Sequence, residues 1–325
     1  MRLVLGTAVF VGAIGSATDN AMAADQWPTK PIRWICPYVA GGAADIFSRT
    51  IGQKLGEAFG QTIIIDNRAG ANGSIGTELA SRAPADGYTI LMGQSGPLAT
   101  NPAFYKKLNY DPVKDFTPVT QGTLYMYVLV VTVNNPVNNI KDMIAWVKAK
   151  PGALTYGSTG IGGGNHLAGE LFNLMTQTKS IHVPYKGSAL ALADLLGGQL
   201  NYMFDTPITS VPQLKAGKLR AIGVSGLKRS SSLPEVPTLD ELGLKGFEVT
   251  QWQAVVLPAG TPKAIVDRLH LEVVRALKMP DVIERLGTQG GNELVGNTPE
   301  EFAQVIKNDL AKYAKLVKDA GIKIE

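Results

Sequence analysis

The stretch that decides the fold, residues 154–170, reads Leu-Thr-Tyr-Gly-Ser-Thr-Gly-Ile-Gly-Gly-Gly-Asn-His-Leu-Ala-Gly-Glu. A short β-type run leads into a glycine-rich loop, and the loop opens into a helical pattern with Leu167, Leu171 and Leu174 at one-turn spacing. The first N–H groups of a helix lack intrahelical partners and carry roughly +0.5 of a charge, so this order of elements can form an anion site. We interpret the stretch as one half of a site that holds a carboxylate.

A second stretch repeats this order more than a hundred residues earlier in the chain. Residues 31–38 predict a buried strand, residues 39–45 form a glycine-containing loop, and apolar residues then recur at helical spacing. Phe47, Ile51 and Leu55 form the predicted buried stripe, and Gly60 marks the end of the helix. The chain therefore carries two strand, loop and helix-start units that can face one ligand from opposite sides.

Further strands and helices alternate along the chain, which predicts an α/β fold whose sheets are mainly parallel and flanked by helices. Two long β-type runs, residues 124–133 and 247–257, bracket a compact middle. We therefore expect two lobes with the chain crossing between them twice. Lobe 1 is predicted to hold residues 24–124 and 249–325, and lobe 2 residues 125–248.

The N-terminus carries a predicted export signal, residues 1–23. Arg2 precedes an uncharged apolar run, and Ala21-Met22-Ala23 fits the small-x-small rule of a signal-peptidase site. The alternative, a buried N-terminal helix, fits less well because Asp19 and Asn20 would end it awkwardly. We expect cleavage near Ala23 and a periplasmic mature protein.

The composition excludes several classes of protein. The 325 residues carry a formal net charge of +4 with no block of basic residues, which argues against a nucleic-acid partner and weakly favours an anionic ligand. The single cysteine, Cys36, lies in an apolar run and is predicted to be buried as a small hydrophobic residue. After the leader, no run is long and apolar enough to predict a membrane span.

The sequence offers little support for catalysis. His166, His182 and His270 do not have the paired spacing of a zinc site, and the glycine loops match neither a P-loop nor a dinucleotide fingerprint. Ser95 and Ser158 lack the frame of a nucleophile elbow. We expect no catalytic residue, metal or cofactor, and a hydrolase on the same lobes remains the least supported alternative.

The candidate site combines the two loops with neighbouring strand ends. Its candidate ligand-binding residues are Tyr38, Ala40, Gly41, Gly42, Ala43, Asp45, Ser95, Ser158, Thr159, Gly160, Gly162, Gly163, Gly164, His166 and Asp205. Asp205 ends an apolar strand, where open α/β sheets bind ligands. Structural alternatives stay open: the glycines could serve tight turns alone, Asp45 could be an acid in a first helical turn, and His166 could be packed in the core.

At these motifs the chain resembles the Bug-type periplasmic solute receptors of tripartite tricarboxylate transporters. The matching stretches are Trp27-Pro28, Pro31-Ile32, Ala40-Gly41-Gly42 with Asp45, Asp66-Asn67-Arg68, Gly70-Ala71, Asp86-Gly87-Tyr88, Asn101-Pro102, residues 166–170, residues 182–187, Met203-Phe204-Asp205 and residues 258–262. The resemblance covers essentially the whole mature chain in order. It departs from the family pattern at Tyr38, where Phe is commoner, at Ala43, where a third glycine is usual, and in the extra glycines of residues 162–164.

The resemblance implies a two-lobed periplasmic binding protein of type II-like fold that closes on a small carboxylate, with the two crossing strands as its hinge. Main-chain amides of the two loops would hold one carboxylate, and Asp205 would help to set what lies at the other end of the ligand. The implied partners are the membrane permease subunits of the transporter, and the chain is expected to act as a monomer. A periplasmic sensor that presents its bound acid to a signalling partner is the alternative function.

The identity of the acid stays open at this point. Tricarboxylates of the citrate type, C4 dicarboxylates, acidic amino acids, nicotinate-like acids and aromatic dicarboxylates all fit the motifs. Tyr38, Tyr125 and Tyr127 favour an aromatic ligand if they face the site, but packing is the better explanation of these residues.

Overall fold

The computed structural model describes residues 27–319, so the predicted leader and its cleavage site lie outside the described residues. The described strands are β1 Ile32–Cys36, β2 Ile63–Asn67, β3 Thr89–Gln94, β4 Phe116–Met126, β5 Val128–Thr132, β6 Thr155–Ser158, β7 Ile181–Pro184, β8 Tyr202–Asp205, β9 Leu219–Val224, β10 Thr250–Pro258 and β11 Glu293–Leu294. The described α-helices are α1 Ala43–Phe59, α2 Ser74–Ser81, α3 Asn101–Phe104, α4 Ile140–Ala149, α5 Gly164–Thr176, α6 Ser188–Leu196, α7 Pro207–Lys215, α8 Lys263–Leu277, α9 Pro280–Val282 and α10 Pro299–Asp319.

These strands form two sheets within residues 27–319. The first has the order β11-β4-β10-β3-β1-β2 and the second the order β7-β6-β8-β5-β9. We call the part of the chain around the first sheet lobe 1 and the part around the second sheet lobe 2. The α/β class and the two-lobed arrangement are as the sequence predicts.

Both sheets are mixed, so the prediction of mainly parallel sheets is wrong. Strand β1 runs parallel to β2 and β3, and β6 runs parallel to β7 and β8. The antiparallel pairs all involve β4, β5 or β10, the strands next to the crossings between the lobes. A helical crossover brings successive strands in parallel, whereas a strand that enters from the other lobe has no such crossover and can run the opposite way.

The first crossing occurs at one residue, Tyr127. Strand β4 ends at Met126 in the first sheet, and β5 begins at Val128 in the second, so the apolar run 124–133 is two strands rather than one. The return crossing lies between β9 and β10, in residues 225–249. The domain limits at residues 124/125 and 248/249 stay a prediction.

Helices α1 and α5 show how well apolar spacing predicts the buried face. In α1 the predicted stripe of Phe47, Ile51 and Leu55 is fully buried. In α5, Leu167 is buried but Leu174 is 56% exposed, and Phe172 takes the buried position one turn after Ala168. The stripe in α5 therefore follows 168 and 172 rather than 171 and 174, because Phe172 packs on Tyr202 and Phe204 of the second sheet.

Helix α7 was not predicted, because its sequence contains two prolines, which usually argue against a helix. Pro207 stands in the first turn, where a missing N–H costs nothing, and Pro212 lies inside the helix, where sequence reasoning expects a break. Helix α10 begins with a capping box: Thr298 Oγ1 accepts a hydrogen bond from Glu301 N, and Glu301 Oε2 accepts one from Thr298 N. No helix within residues 27–319 is long and apolar enough to cross a membrane.

Candidate functional site

A small cavity, with a volume of about 20 Å³, lies between the two lobes. A volume of roughly 10–15 Å³ holds one water molecule, so the lobes are closed on a space of about that size. Its lining residues are Tyr38, Gly42, Ala43, Ala44, Gln94, Tyr125, Tyr127, Thr159, Asn165, Ser188 and Thr206. The first six belong to lobe 1 and the last four to lobe 2, while Tyr127 is the crossing residue between the two sheets.

Helix N-termini dominate this lining. Among the described residues, four helices begin at the cavity: α1 with Ala43, α5 with Asn165, α6 with Ser188 and α7 with its N-cap Thr206. None of these four N-caps has a side-chain capping hydrogen bond, whereas α4 begins with an Asn139 side chain that accepts from Asp142 N. First-turn N–H groups other than those of His166 and Thr209, which already have acceptors, are therefore available to a bound anion at this cavity.

The side chains that line the cavity are neutral. No Asp, Glu, Lys, Arg or His is among the described residues that form its wall. Tyr125 and Tyr127 pack edge to face, with ring centroids 5.6 Å apart, and Gln94 Nε2 donates a hydrogen bond of 2.7 Å to the Tyr125 hydroxyl. Burial raises the pKa of Tyr125 to about 12, so its hydroxyl stays protonated at neutral pH. The electrostatic attraction for an anion therefore comes from main-chain dipoles rather than from basic side chains.

The loop before α1 is fastened by Asp45. Asp45 Oδ2 accepts hydrogen bonds from Gly41 N and Arg49 Nε, and Oδ1 accepts one from Asn67 Nδ2. Burial by itself would raise the pKa of Asp45, but the bonds from Arg49, Gly41 and Asn67 outweigh it and hold the pKa below its ordinary value. Asp45 is thus an anion that shapes the loop and does not line the cavity.

The glycine loop before α5 is supported from behind by two histidines. Ser158 Oγ lies 2.5 Å from His182 Nε2, and the Nδ1 atom of His166 accepts a hydrogen bond from Gly162 N. The two imidazole rings pack with centroids 4.1 Å apart. Burial lowers the pKa of His182 to about 4, and burial together with the charge of His182 lowers that of His166 to about 3, so both are neutral at pH 7.

Strand β8 presents Thr206 to the cavity and turns Asp205 into the core. The Asp205 side chain is fully buried, and its Oδ2 accepts a hydrogen bond of 2.8 Å from Thr209 Oγ1. Its Oδ1 atom has no hydrogen-bond partner among the described residues. Burial raises the pKa of this carboxyl to about 7, despite hydrogen bonds from Thr209 and from the Thr206 main chain.

The remaining candidates divide between the wall and its support. Tyr38, Gly42, Ala43 and Thr159 line the cavity, and their contacts with a ligand stay a prediction. Ser95 is fully buried and donates a short hydrogen bond to Gln251 Oε1 on β10. Seven other candidates form the loops beside the cavity without lining it: Ala40, Gly41, Ser158, Gly160, Gly162, Gly163 and Gly164. Their contacts with a ligand, like those of Asp45, Ser95, His166 and Asp205, stay a prediction.

The family of the chain follows from a comparison with known proteins. Residues 47–322 match the model of the TctC family, described as the tripartite tricarboxylate transporter family receptor. The chain belongs to the TctC family. It is 32% identical to the protein BugT of Bordetella pertussis, over 100% of this chain and 99% of that protein. It is 37% identical to a protein from the tcbD-tcbE intergenic region of Pseudomonas sp. strain P51, over 97% and 93% of the two chains.

Solved TctC-like structures have the same two-lobed fold. The periplasmic binding protein BugD is 34% identical with a TM-score of 0.89, covering 92% of this chain and 100% of BugD. An R. palustris protein determined with adipate is 36% identical with a TM-score of 0.89 and the same coverage. MatC of Rhodopseudomonas palustris, determined with malate, is 31% identical with a TM-score of 0.85, covering 90% of this chain and 100% of MatC.

Membership of the TctC family confirms that this chain is a solute-binding receptor of a periplasmic family and not an enzyme. The described residues also hold no cluster of His, Cys, Asp and Glu placed to bind a metal ion.

Sequence reasoning missed several residues of the cavity wall. Gln94, Asn165 and Thr206 each stand next in sequence to a predicted candidate, so the strand end or helix start was identified but these wall residues were not. Ala44 was predicted within the loop of residues 39–45, whereas it belongs to the first turn of α1. Ser188 begins helix α6 after Gly187, and that glycine before a helix start was the available signal.

Proposed function

We propose that this TctC-family receptor captures a small aliphatic dicarboxylate between its lobes and delivers it to the membrane permease of a tripartite tricarboxylate-type transporter. Export by the leader of residues 1–23, and the division into lobes at residues 124/125 and 248/249, belong to the same proposal. The family match and the adipate-bound and malate-bound relatives support the ligand class.

One observation carries this proposal: within residues 27–319, four uncapped helix N-termini meet at one cavity whose wall bears no charged side chain. Each N-terminus carries roughly +0.5 of a charge, so together they can balance a dianion. Hydrogen bonds to a charged group contribute about 1.5–3 kcal/mol each. A handful therefore suffices for the roughly 8 kcal/mol of micromolar binding after the entropy cost of association.

The distribution of the N-termini between the lobes explains why binding and closure go together. Helix α1 belongs to lobe 1, whereas α5, α6 and α7 belong to lobe 2. A ligand that contacts both groups of N–H donors gains its full binding energy only when the lobes are together. It therefore shifts the population toward the closed form, which is the form that a permease can recognise.

Isothermal titration calorimetry on protein freed of ligand by unfolding and refolding tests the proposal. Adipate and malate are each titrated beside their neutral diamides, which have similar shape but no anionic charge. We expect micromolar binding of at least one acid and no binding of its diamide. Equal binding of an acid and its diamide, or no binding of any small dicarboxylate in a wider panel, would overturn the proposal.

A further inference from the structure

The side chain of Asn72, in the turn Ala71–Gly73 of lobe 1, lies directly under the glycine loop of lobe 2. Thr159 Oγ1 donates a hydrogen bond of 3.0 Å to Asn72 Oδ1. A Cβ atom on Gly160 would lie only 3.1 Å from the Asn72 main-chain nitrogen, so the two backbones are in close contact. Asn72 is 2% exposed and is therefore covered by the loop that it contacts.

The position of Asn72 is fixed by lobe 1 alone. Its Nδ2 donates to Asn101 Oδ1 at 2.8 Å, and Asn101 Nδ2 donates back to the Asn72 carbonyl at 3.2 Å. The Tyr38 hydroxyl donates to the same carbonyl at 3.2 Å and lies 3.3 Å from Asn72 Oδ1. The backbone of Asn72 is left-handed, with φ 46° and ψ 45°, a conformation that asparagine tolerates better than most residues.

Two more hydrogen bonds from lobe 1 reach the same loop. Thr100 Oγ1 donates to the Gly162 carbonyl, and the Tyr105 hydroxyl donates to the Ile161 carbonyl at 3.1 Å. Thr159, Ile161 and Gly162 are thus all bonded to groups of lobe 1. Every one of these bonds joins two protein groups, so none of them needs a ligand atom.

We propose that Asn72 is a positioning residue for ligand capture, which holds Thr159 and the glycine loop of lobe 2 against lobe 1 independently of the ligand. The role in capture rests on the proposed function, since Thr159 and Tyr38 also line the cavity. These contacts between the lobes form without ligand and stabilise the closed form. The closed form is therefore substantially populated in the ligand-free chain. Because apparent affinity scales with the fraction of binding-competent protein, loss of this contact weakens binding.

The test uses Asn72→Gly, which removes the side chain while keeping a residue that accepts a positive φ. We expect small-angle X-ray scattering of the ligand-free variant to show a larger radius of gyration than wild type. With adipate or malate as the probe, whichever binds wild type, we also expect about tenfold faster dissociation and a smaller change in the association rate. Asn109→Gly is the matched control, since the Asn109 side chain bonds Glu78 within lobe 1. It should leave both quantities unchanged.

A second pair of variants separates positioning from mere loss of structure. Thr159→Val removes the hydroxyl that Asn72 accepts and should open the ligand-free chain, whereas Thr159→Ser keeps the hydroxyl and should restore the wild-type radius. The double variant Asn72→Gly with Thr159→Val should have no larger radius of gyration without ligand than either single variant, because both changes remove the same hydrogen bond. Strictly additive effects, or an unchanged radius and dissociation rate in Asn72→Gly, would overturn the inference.

The scattering measurement needs no ligand, so it distinguishes this inference from the proposed function. If no carboxylate binds the wild-type chain but Asn72→Gly still opens it, the positioning contact stands and the proposed ligand class fails. If a dicarboxylate binds wild type and Asn72→Gly alike, with equal radii, the ligand class stands and the positioning role fails.

Discussion

Gly42 at the start of α1 faces Ser188 at the start of α6, so closely that a Cβ atom on Gly42 would lie 2.9 Å from Ser188 Oγ. The same approach recurs beside it, where a Cβ atom on Gly187 would lie 2.5 Å from Cγ2 of Val39. At each of these two contacts between the lobes, one of the two residues is therefore a glycine. A larger side chain there would keep the helix N-termini of the two lobes apart.

Replacing Gly42 by Val is expected to weaken carboxylate binding by about tenfold or more, or about 1.4 kcal/mol, because the added methyl groups obstruct closure. The backbone of Gly42, with φ −86°, accepts valine without strain, so folding should be retained. Calorimetry measures the change. Gly197→Val, at the exposed far end of α6 with φ −79°, is the control and should bind like wild type. Unchanged affinity in Gly42→Val would show that the lobes need not approach at this point.

Phe172 and Leu174 provide a matched test of the buried face of α5. Phe172 is fully buried against Tyr202 and Phe204, and its replacement by alanine should lower the free energy of unfolding by about 3–5 kcal/mol. Leu174 is 56% exposed, and Leu174→Ala should change stability by no more than about 0.5 kcal/mol. Urea unfolding measures both. Similar losses in the two variants would mean that α5 packs through a different face.

Asp205 should make the protein less stable as the pH rises through neutrality. Its pKa is raised from 3.8 to about 7 by burial, so the folded chain holds this proton more tightly than the unfolded chain. The contribution of this protonated carboxyl to the free energy of unfolding is fully present below about pH 4 and is lost as the pH rises through 7. Asp205→Asn should therefore gain thermal stability relative to wild type between pH 5 and pH 8. If the melting temperatures of wild type and Asp205→Asn changed with pH in the same way across that range, Asp205 would not be buried and protonated.

The pair His166 and His182 should make the protein less stable as the pH falls, which is the opposite of the effect of Asp205. The pKa values of His182 and His166 are lowered by burial from 6.5 to about 4 and about 3, so the unfolded chain takes up these protons first. Stability should fall as the pH drops from about 6.5 towards 4. His182→Gln keeps a polar group near Ser158 but does not titrate, and its melting temperature should decline less steeply over this range. A decline as steep as that of wild type would show that His182 is already charged in the fold.

Local patterns in the sequence were sufficient to locate the elements of the site. The strand, glycine loop and helix-start units before α1 and α5 are visible because turns and helix starts depend on neighbouring residues. The loop of residues 39–45 and the loop residue Thr159 were predicted on this basis. Ala43, predicted within that loop, begins α1, and both Ala43 and Thr159 line the cavity.

The choice between adjacent residues could not be made from the sequence. Gln94 ends β3 and Ser95 is the N-cap of the helical turn Gly96–Thr100. Asp205 ends β8 and Thr206 is the N-cap of α7, so in each pair the two neighbours face different surroundings. Which of them faces the ligand depends on how the two sheets are placed. Likewise, the start of α6 at Ser188 reaches the cavity because β7 and β6 lie side by side in the second sheet, and strand order is not a local property.

The central claim is that helix starts whose cavity-lining side chains are neutral hold the anion, and a single negative charge placed among those side chains tests it most directly. Ala43 stands in the first turn of α1 and lines the cavity, whereas Ala145 is exposed in the middle of α4. Ala43→Asp and Ala145→Asp therefore add the same charge in two places. Calorimetry with the acid that binds wild type should show at least about a hundredfold loss in Ala43→Asp and no loss in Ala145→Asp. Wild-type affinity in Ala43→Asp would contradict the account.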